Sequence, residues 1–188
     1  FTAEKQSLTA DFAFVAKCNL GGEFMEPDEI DRLRRIGATP WLRHFDNRLG
    51  LAHDELGRYP RQKETLPVTE CLLADRPDHV IPRSGGIHNH YDSLGFNVDI
   101  PENLYNLGEL HNLTVKRGTL SPEERFKINE HIMQTIAMLE SMPFPKHLRR
   151  VPEYAGTHHE TLTGSGYPRK LTKEELSVPA RIMAIADI

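Results

Sequence analysis

The sequence has few cysteines, no long apolar run and no excess of positive charge. Its two cysteines, Cys18 and Cys71, stand far apart in the chain. They cannot form the disulfide framework of a small secreted protein, and their isolation argues against a thiolate metal site. No apolar run approaches the roughly 20 residues that a membrane-spanning helix needs, and Phe1 does not begin a signal peptide. We therefore expect a soluble, cytoplasmic domain.

The charge and the size of the chain narrow its function further. A formal net charge of −4 gives no overall basic field, so binding to long nucleic acid is not favoured. A small anionic ligand remains compatible with the sequence, because basic residues cluster locally at 116–117, 146–150 and 169–170. With 188 residues, of which 38% are apolar, the chain can bury one core, or one core with a long appendage.

The first half of the chain predicts two helices and then loses its periodicity. A short amphipathic helix is predicted over Leu8–Cys18, where Gly21 and Gly22 end it, and a second helix begins at Pro27. The stretch Gly37–Pro101 is rich in Pro and Gly and shows little periodicity, which favours an irregular insertion outside the core. We therefore assign residues 1–105 to N-terminal helices and an insertion, and residues 106–188 to a helical core.

The second half predicts helices joined by loops, and so an all-α fold. The run Ser121-Pro122-Glu123-Glu124 combines an N-cap, a proline at the first helical position and a capping glutamate. That helix should continue to about Met142, a second should cover Lys146–His159, and a third begins at Pro179. The third reaches Ile188 without a cap, and the chain begins without Met, so we expect a fragment of a longer protein.

Four side chains of types that can bind metal lie on these three predicted helices. His131 lies 27 residues before His158, and His159 lies 28 residues before Asp187. Residues so placed can converge in the centre of a helical bundle. Adjacent histidines on a helix point about 100° apart, which suits two neighbouring ions better than one. Imidazoles with a carboxylate and no thiolate favour Fe, Mn or Zn.

A simpler interpretation of His131 remains open at this point. The predicted helix places it on one apolar face with Ile128, Ile132, Thr135 and Leu139. A single histidine on such a face is more often a packed, hydrogen-bonded core residue than a metal ligand. Spacing alone does not separate the two interpretations.

The segment after the paired histidines resembles a known family. The run His158-His-Glu-Thr-Leu-Thr-Gly-Ser-Gly-Tyr-Pro168 is similar to the signature of the HD-GYP phosphohydrolases, in which paired His and Glu precede a Gly-rich loop that ends in Gly-Tyr-Pro. The resemblance includes Arg117-Gly-Thr-Leu-Ser-Pro-Glu-Glu-Arg125 and Ala180–Asp187, and it covers about 106–188. Residues 8–82 resemble, less distinctively, an insertion that some members carry before the Arg-Gly-Thr-Leu segment.

The resemblance implies an HD-type helical bundle and a bacterial, metal-dependent phosphodiesterase that acts on cyclic di-GMP or cyclic GMP–AMP. By the family pattern, His131, His158, His159 and Asp187 are the metal ligands, with His158, His159 and Asp187 also catalytic. Gly166, Tyr167 and Pro168 line the dinucleotide site. The implied cofactor is two or more divalent ions, with Fe or Mn favoured. Glu160 could orient a ligand or could be a solvated carboxylate. The resemblance also allows a homodimer and implies a sensory domain elsewhere in the protein.

The sequence departs from the family at its namesake His-Asp dyad. The dipeptide His53-Asp54 lacks the Gly-Lys that follows the dyad in the family, and it lies 78 residues before His131. Insertion-bearing members place the dyad before the insertion, so we expect the true dyad before Phe1. Basic residues that follow the last Asp in the family would lie beyond Ile188. We therefore expect residues 1–188 alone to turn over substrate poorly.

Two further functions remain as alternatives. A degenerate, non-catalytic module could bind the dinucleotide or a partner protein without turnover, and a protein without the dyad would favour it. An HD-type hydrolase of mononucleotides is disfavoured by the Gly-Tyr-Pro loop. The sequence does not distinguish cyclic di-GMP from cyclic GMP–AMP.

Overall fold

The computed structural model describes residues 1–60, 64–83, 91 and 93–187. The chain divides into two compact units. Unit 1 comprises Phe1–Pro82 and Asn103–Ser121, and unit 2 comprises Arg83–Glu102 and Pro122–Ile188. The boundaries of these two units differ from the boundary that we expected between residues 105 and 106. That residues 106–188 form a separate functional domain stays a prediction.

Unit 1 contains four of the helices in the described part of the chain, which are α1 Thr2–Leu20, α2 Pro27–Gly37, α3 His53–Leu56 and α4 Glu109–Leu113. Helix α1 is longer than predicted but ends where predicted. Gly21 has φ +72°, and a Cβ there would lie 2.6 Å from the Thr119 side chain. Helix α2 begins with Pro27 at its first turn, and the side chain of Glu29 accepts the N–H of Glu26.

Unit 1 also contains three two-stranded antiparallel sheets, which the sequence did not predict. Strand β1 Gly22–Phe24 pairs with β6 Arg117–Gly118, β2 Pro40–Arg43 with β3 Val68–Cys71, and β4 Val80–Pro82 with β5 Asn103–Asn106. A 3₁₀ turn covers Pro77–His79. The fold is helical in its longer elements, but the expectation of an all-α chain holds only roughly.

Unit 2 is built from α5 Pro122–Glu140, a 3₁₀ turn Lys146–Leu148, α6 Val151–Gly156 and α7 Val178–Ala186. Its core cluster consists of Tyr91, Phe96, Phe126, Ile132, Met133 and Ile136. Helices α5 and α6 pack closely, since a Cβ on Gly156 would lie 2.6 Å from the Ile136 side chain. Within the described residues, no helix is long and apolar enough to cross a membrane.

The prediction that Gly37–Pro101 is an insertion outside the core is wrong for the C-terminal part of this segment. Tyr91 and Phe96 are buried in the core of unit 2, and Leu94, Val98 and Ile100 pack against the same cluster. The Pro and Gly residues interrupt the local periodicity, but the apolar side chains between them still find a long-range partner in α5. The parts of the prediction at 61–63, 84–90 and 92 lie outside the described residues.

Candidate metal and substrate site

The structure places the four predicted ligands on three segments of unit 2. Only one of the four residues lies within a helix. His131 is in α5, on its exposed side, whereas Ile132 beside it is buried. The prediction that His131 shares an apolar face with Ile132 is therefore wrong, because Ile132 belongs to the buried side of α5 together with Phe126, Met133 and Ile136. The exposed position of His131 disfavours the interpretation as a packed core histidine.

The paired histidines follow a helix rather than lie on one. The predicted helix over Lys146–His159 is broken into a 3₁₀ turn and α6, which ends at Gly156. The Thr157 hydroxyl donates to the carbonyl oxygen of Glu153 at 2.7 Å, and His158 and His159 lie in the turn that follows. Asp187 is the residue immediately after α7.

These side chains nevertheless converge. Nε2 of His131 lies 3.2 Å from Nε2 of His159, and Oδ2 of Asp187 lies 3.9 Å from Nδ1 of His159. The rings of His158 and His159 have centroids 4.2 Å apart. One nitrogen from each of the three histidines lies within 4.8 Å of the others. The predicted convergence is thus observed, while the role of these residues as ligands stays a prediction.

Backbone carbonyls fix the tautomers of two of the histidines. Nδ1 of His131 donates to the carbonyl oxygen of Ile128 at 2.6 Å, and Nδ1 of His158 donates to that of Ala155 at 2.7 Å. Since a carbonyl oxygen only accepts, the proton of each neutral ring sits on Nδ1. Each Nε2 therefore carries a lone pair. Metal-binding histidines are commonly oriented through this contact to their other ring nitrogen.

The surroundings of the third histidine disfavour its charged form. Burial, followed by the neighbouring His158 and His131 rings, lowers the pKa of His159, and the opposing effect of Asp187 does not restore it. A neutral imidazole keeps a lone pair on one ring nitrogen at physiological pH. His159 therefore presents a lone pair to its neighbours rather than a positive charge.

The Gly-Tyr-Pro loop lies directly beside the cluster. The ring of Tyr167 stacks on the ring of His159, with centroids 4.8 Å apart and an interplanar angle of 14°. Gly166 has no room for a side chain, because a Cβ would lie 2.5 Å from both Glu160 Cα and Thr161 N. Pro168 is buried, and its carbonyl oxygen accepts the N–H of Asn97 at 2.7 Å. Burial, followed by the charge of Asp187, raises the pKa of Tyr167.

Glu160 fixes this loop, a role that the sequence did not predict. Its side chain is buried, and its two oxygens accept the N–H groups of Arg169 at 2.7 Å and Leu171 at 2.9 Å. It is therefore not a solvated carboxylate, and its hydrogen bonds within the described residues go to backbone N–H groups rather than to a histidine. The sequence shows that a carboxylate lies next to a Gly-rich loop. It does not show which backbone groups that carboxylate binds.

Arg169 was noticed from the sequence only as part of a basic cluster. Its guanidinium donates to the carbonyl oxygen of Leu94 and forms an ion pair with Glu140 at 2.7 Å. It therefore connects the loop to α5 and to the segment before it. This contact joins residues 75 positions apart, which no local pattern indicates.

The three histidines form a group that could hold a divalent metal ion. Imidazole nitrogens bind such ions at about 2.0–2.1 Å, so two nitrogens on one ion lie at most about 4 Å apart. The 3.2 Å between His131 Nε2 and His159 Nε2 satisfies that limit. The group offers nitrogen donors and no thiolate, and imidazole nitrogens are common ligands of divalent transition metals.

The dipeptide His53-Asp54 is not part of this grouping. His53 begins α3 in unit 1, whereas the cluster lies in unit 2. Among the described residues, the side chains that lie close enough together to hold one metal ion are His131, His158 and His159, and neither His53 nor Asp54 is one of them.

Three histidines, a carboxylate and a Gly-Tyr-Pro loop therefore lie together on a helical unit. The profile of the HD domain family matches residues 67–188, which is more than half of the chain. The chain belongs to the HD domain family, whose members are metal-dependent phosphohydrolases. The resemblance to HD-GYP proteins is thereby confirmed.

The chain is similar to curated proteins that are named as cyclic dinucleotide phosphodiesterases. The chain is 38% identical over 104 residues to 3'3'-cGAMP-specific phosphodiesterase 1 of Vibrio cholerae, a match over 50% of this chain and 23% of that relative. It is 34% identical over 87 residues to a cyclic di-GMP phosphodiesterase of Thermotoga maritima, over 45% of this chain and 23% of the relative. The chain thus spans about a quarter of the length of these relatives. No solved structure matches the chain at a significant level.

Proposed function

We propose that the protein hydrolyses a phosphodiester bond of a cyclic dinucleotide, either cyclic di-GMP or 3'3'-cyclic GMP–AMP. The observation that carries the proposal is the stacking of Tyr167 of the Gly-Tyr-Pro loop on His159 of the histidine cluster. The names of the relatives support the substrate class, since both cyclic dinucleotides occur among them.

In this proposal His131, His158, His159 and Asp187 hold divalent metal, as two or more ions of Fe or Mn. Bound divalent ions supply a nucleophile at neutral pH and stabilise negative charge on phosphate oxygens. The chain's own contribution is orientation. The carbonyl oxygens of Ile128 and Ala155 hold His131 and His158 with their Nε2 lone pairs available, so little rearrangement is needed for binding.

The loop contributes the second half of the proposed site. Gly166 lets the backbone pass within van der Waals distance of Glu160, and Glu160 anchors the far side of the loop through Arg169 and Leu171. Tyr167 is thereby fixed against the cluster. A dinucleotide that binds to this loop would have its phosphate placed next to the histidines, which is the positioning that hydrolysis requires.

The first test is turnover by the whole protein, purified anaerobically with Fe²⁺ or Mn²⁺. We expect conversion of cyclic di-GMP or cyclic GMP–AMP to the linear dinucleotide, detected by chromatography, with metal content measured on the same samples. His158→Ala should lower both turnover and metal content, and the loss of turnover should exceed about 100-fold because a metal-binding imidazole is removed. The control is His147→Ala, an exposed histidine outside the cluster.

A metal-loaded protein that turns over neither dinucleotide would contradict the proposal. It would favour the non-catalytic binding module instead, which retention of either dinucleotide without hydrolysis would then demonstrate. An unchanged metal content in His158→Ala would contradict the ligand assignment even if the enzyme is active.

The second test separates the loop from the metal. Tyr167→Ala removes the ring that stacks on His159, so we expect kcat/KM to fall by about tenfold to 100-fold through lost positioning, with metal content unchanged. Tyr167→Phe retains the stacked ring and should stay close to the wild type. Loss of metal in Tyr167→Ala would show that the tyrosine supports the cluster itself and not the substrate.

A further inference from the structure

Unit 1 contains a pocket of about 400 Å³ that the proposed function does not use. Two aromatic rings, Trp41 and Phe45, form part of its wall, with centroids 6.2 Å apart and a 48° tilt. Small-molecule sites typically have volumes of about 300–1,000 Å³, so a ligand of the size of one base or nucleoside fits here.

The floor of the pocket is a two-stranded sheet that contains a buried arginine. It is the β2–β3 sheet, in which Trp41 stands opposite Glu70 and Arg43 lies two residues further along the same face. Arg43 is 2% exposed and donates to Glu70 at 2.9 Å, and it also contacts Glu64 and the carbonyl oxygen of Phe45. Its charge is therefore already compensated, and it serves to hold the sheet and the Phe45 backbone in place.

The charged lining favours an uncharged ligand with hydrogen-bonding edges. Two arginines, Arg43 and Arg76, are balanced by two carboxylates, Glu70 and Glu109, so a phosphate would find no excess of positive charge. Arg76 pairs with Asp78 at 2.9 Å, while its Nε has no hydrogen-bond acceptor among the described residues.

The carboxylates supply acceptors for the same ligand. Glu70 uses Oε1 for Arg43, and Glu109 uses Oε2 for the N–H of Ala74 at 2.8 Å. Across the part of the chain that the structure describes, the second oxygen of each accepts no hydrogen bond. A ligand with a flat apolar face and N–H groups on its edge would therefore meet both the aromatic wall and these oxygens.

We propose that this pocket binds an uncharged, planar nitrogen heterocycle of the size of a purine base, free or as its nucleoside. The inference stands apart from the proposed phosphodiesterase activity, because it depends on residues of unit 1 alone. Stacking on the aromatic wall supplies affinity, and the carboxylate oxygens select for N–H donors.

Trp41 is the only tryptophan in the sequence, so its fluorescence reports directly on this pocket. Titration of the 188-residue chain with guanosine or adenosine should give a saturable change in tryptophan emission. N-acetyltryptophanamide corrects for absorption by the nucleoside. Ribose 5-phosphate, which carries charge but no base, should give no change. A saturable response to ribose 5-phosphate would overturn the assignment of an uncharged ligand.

Matched variants test the location. Phe45→Ala removes one wall and should weaken nucleoside binding by about tenfold, or 1.4 kcal/mol, while Phe24→Ala, an exposed phenylalanine of unit 1 outside the pocket, should leave it unchanged. Glu109→Gln is a second pocket variant that retains both aromatic rings and should also weaken binding. Circular dichroism confirms that each variant is folded. Equal affinity in Phe45→Ala, Glu109→Gln and the wild type, or no saturable change up to about 1 mM nucleoside, would refute the proposal.

Discussion

Glu160 is a single buried carboxylate that fixes the position of the Gly-Tyr-Pro loop in unit 2. It stands between the histidine pair and the Gly-Tyr-Pro loop, and both of its oxygens accept backbone N–H groups. A buried charge is costly unless hydrogen bonds compensate it, and here two N–H donors do so. The cost of burial is thus offset by contacts that fix the loop at Arg169 and Leu171.

We expect Glu160→Gln to loosen the loop without removing metal. The amide has nearly the same shape, but its NH₂ group would face one of the two N–H donors, which leaves that donor unsatisfied at a cost of about 1–3 kcal/mol. The melting temperature should fall and KM for the dinucleotide should rise, while metal content stays that of the wild type. Glu174→Gln, an exposed glutamate on the same segment, is the control. A variant that keeps its stability and its KM would show that Glu160 does not hold the loop.

At the scale of the element, α5 has two different faces. One face buries Phe126, Met133 and Ile136, and the other presents His131. Glu130 lies between them at 6% exposure, where it accepts the Tyr91 hydroxyl at 2.7 Å and the Lys127 ammonium at 2.8 Å. The helix is therefore attached to the segment around Tyr91 by a polar contact as well as by apolar packing.

This contact predicts a dependence of stability on pH. Burial alone would raise the pKa of Glu130, but the hydrogen bonds from Lys127 and Tyr91 outweigh it, and the pKa lies below its ordinary value of 4.5. A carboxylate with a lowered pKa in the folded state stabilises the protein above pH 4.5, and that stabilisation is lost as the pH falls through the lowered value. Glu130→Gln should reduce this acid-dependent loss, which chemical denaturation at several pH values would measure.

The control for this experiment is Glu102→Gln, an exposed glutamate of the same unit. Glu130→Gln should also cost about 1–3 kcal/mol at neutral pH, because the donors of Lys127 and Tyr91 lose an ionised partner. If the unfolding free energy of Glu130→Gln keeps the full acid dependence of the wild type, the stabilisation arises elsewhere.

For the molecule as a whole, the division into two units has a thermodynamic consequence. The chain crosses between the units three times, after Pro82, Glu102 and Ser121. Compact units with their own cores can unfold in separate transitions. Trp41 reports on unit 1 alone, whereas circular dichroism reports on the helices of both.

We expect Leu33→Ala, which truncates a fully buried side chain of α2, to lower the transition seen by tryptophan fluorescence. Ile136→Ala, at an equally buried position of α5, should leave that transition in place and lower only the part of the circular-dichroism change that comes from the helices of unit 2. Each truncation should cost about 2–5 kcal/mol. Coincident transitions that shift together in both variants would show that the two units unfold as one.

Local signals in the sequence determined much of this protein. Pro27 and Pro122 mark the starts of α2 and α5, Gly21 marks the end of α1, and the Gly-Tyr-Pro loop indicated the family. These signals act within a few residues, through cap hydrogen bonds and restricted backbone angles, so they can be read without coordinates.

Only the tertiary structure decided the rest. It moved His158 and His159 from a helix into a turn, turned His131 to the exposed side of α5, and placed Tyr91 and Phe96 in the core. It also assigned Glu160 to the backbone of the loop. Each of these outcomes depends on partners distant in sequence, and the free energy of burial and of long-range hydrogen bonds outweighs local preference. The residue pattern within one segment does not specify which distant residues that segment will pack against.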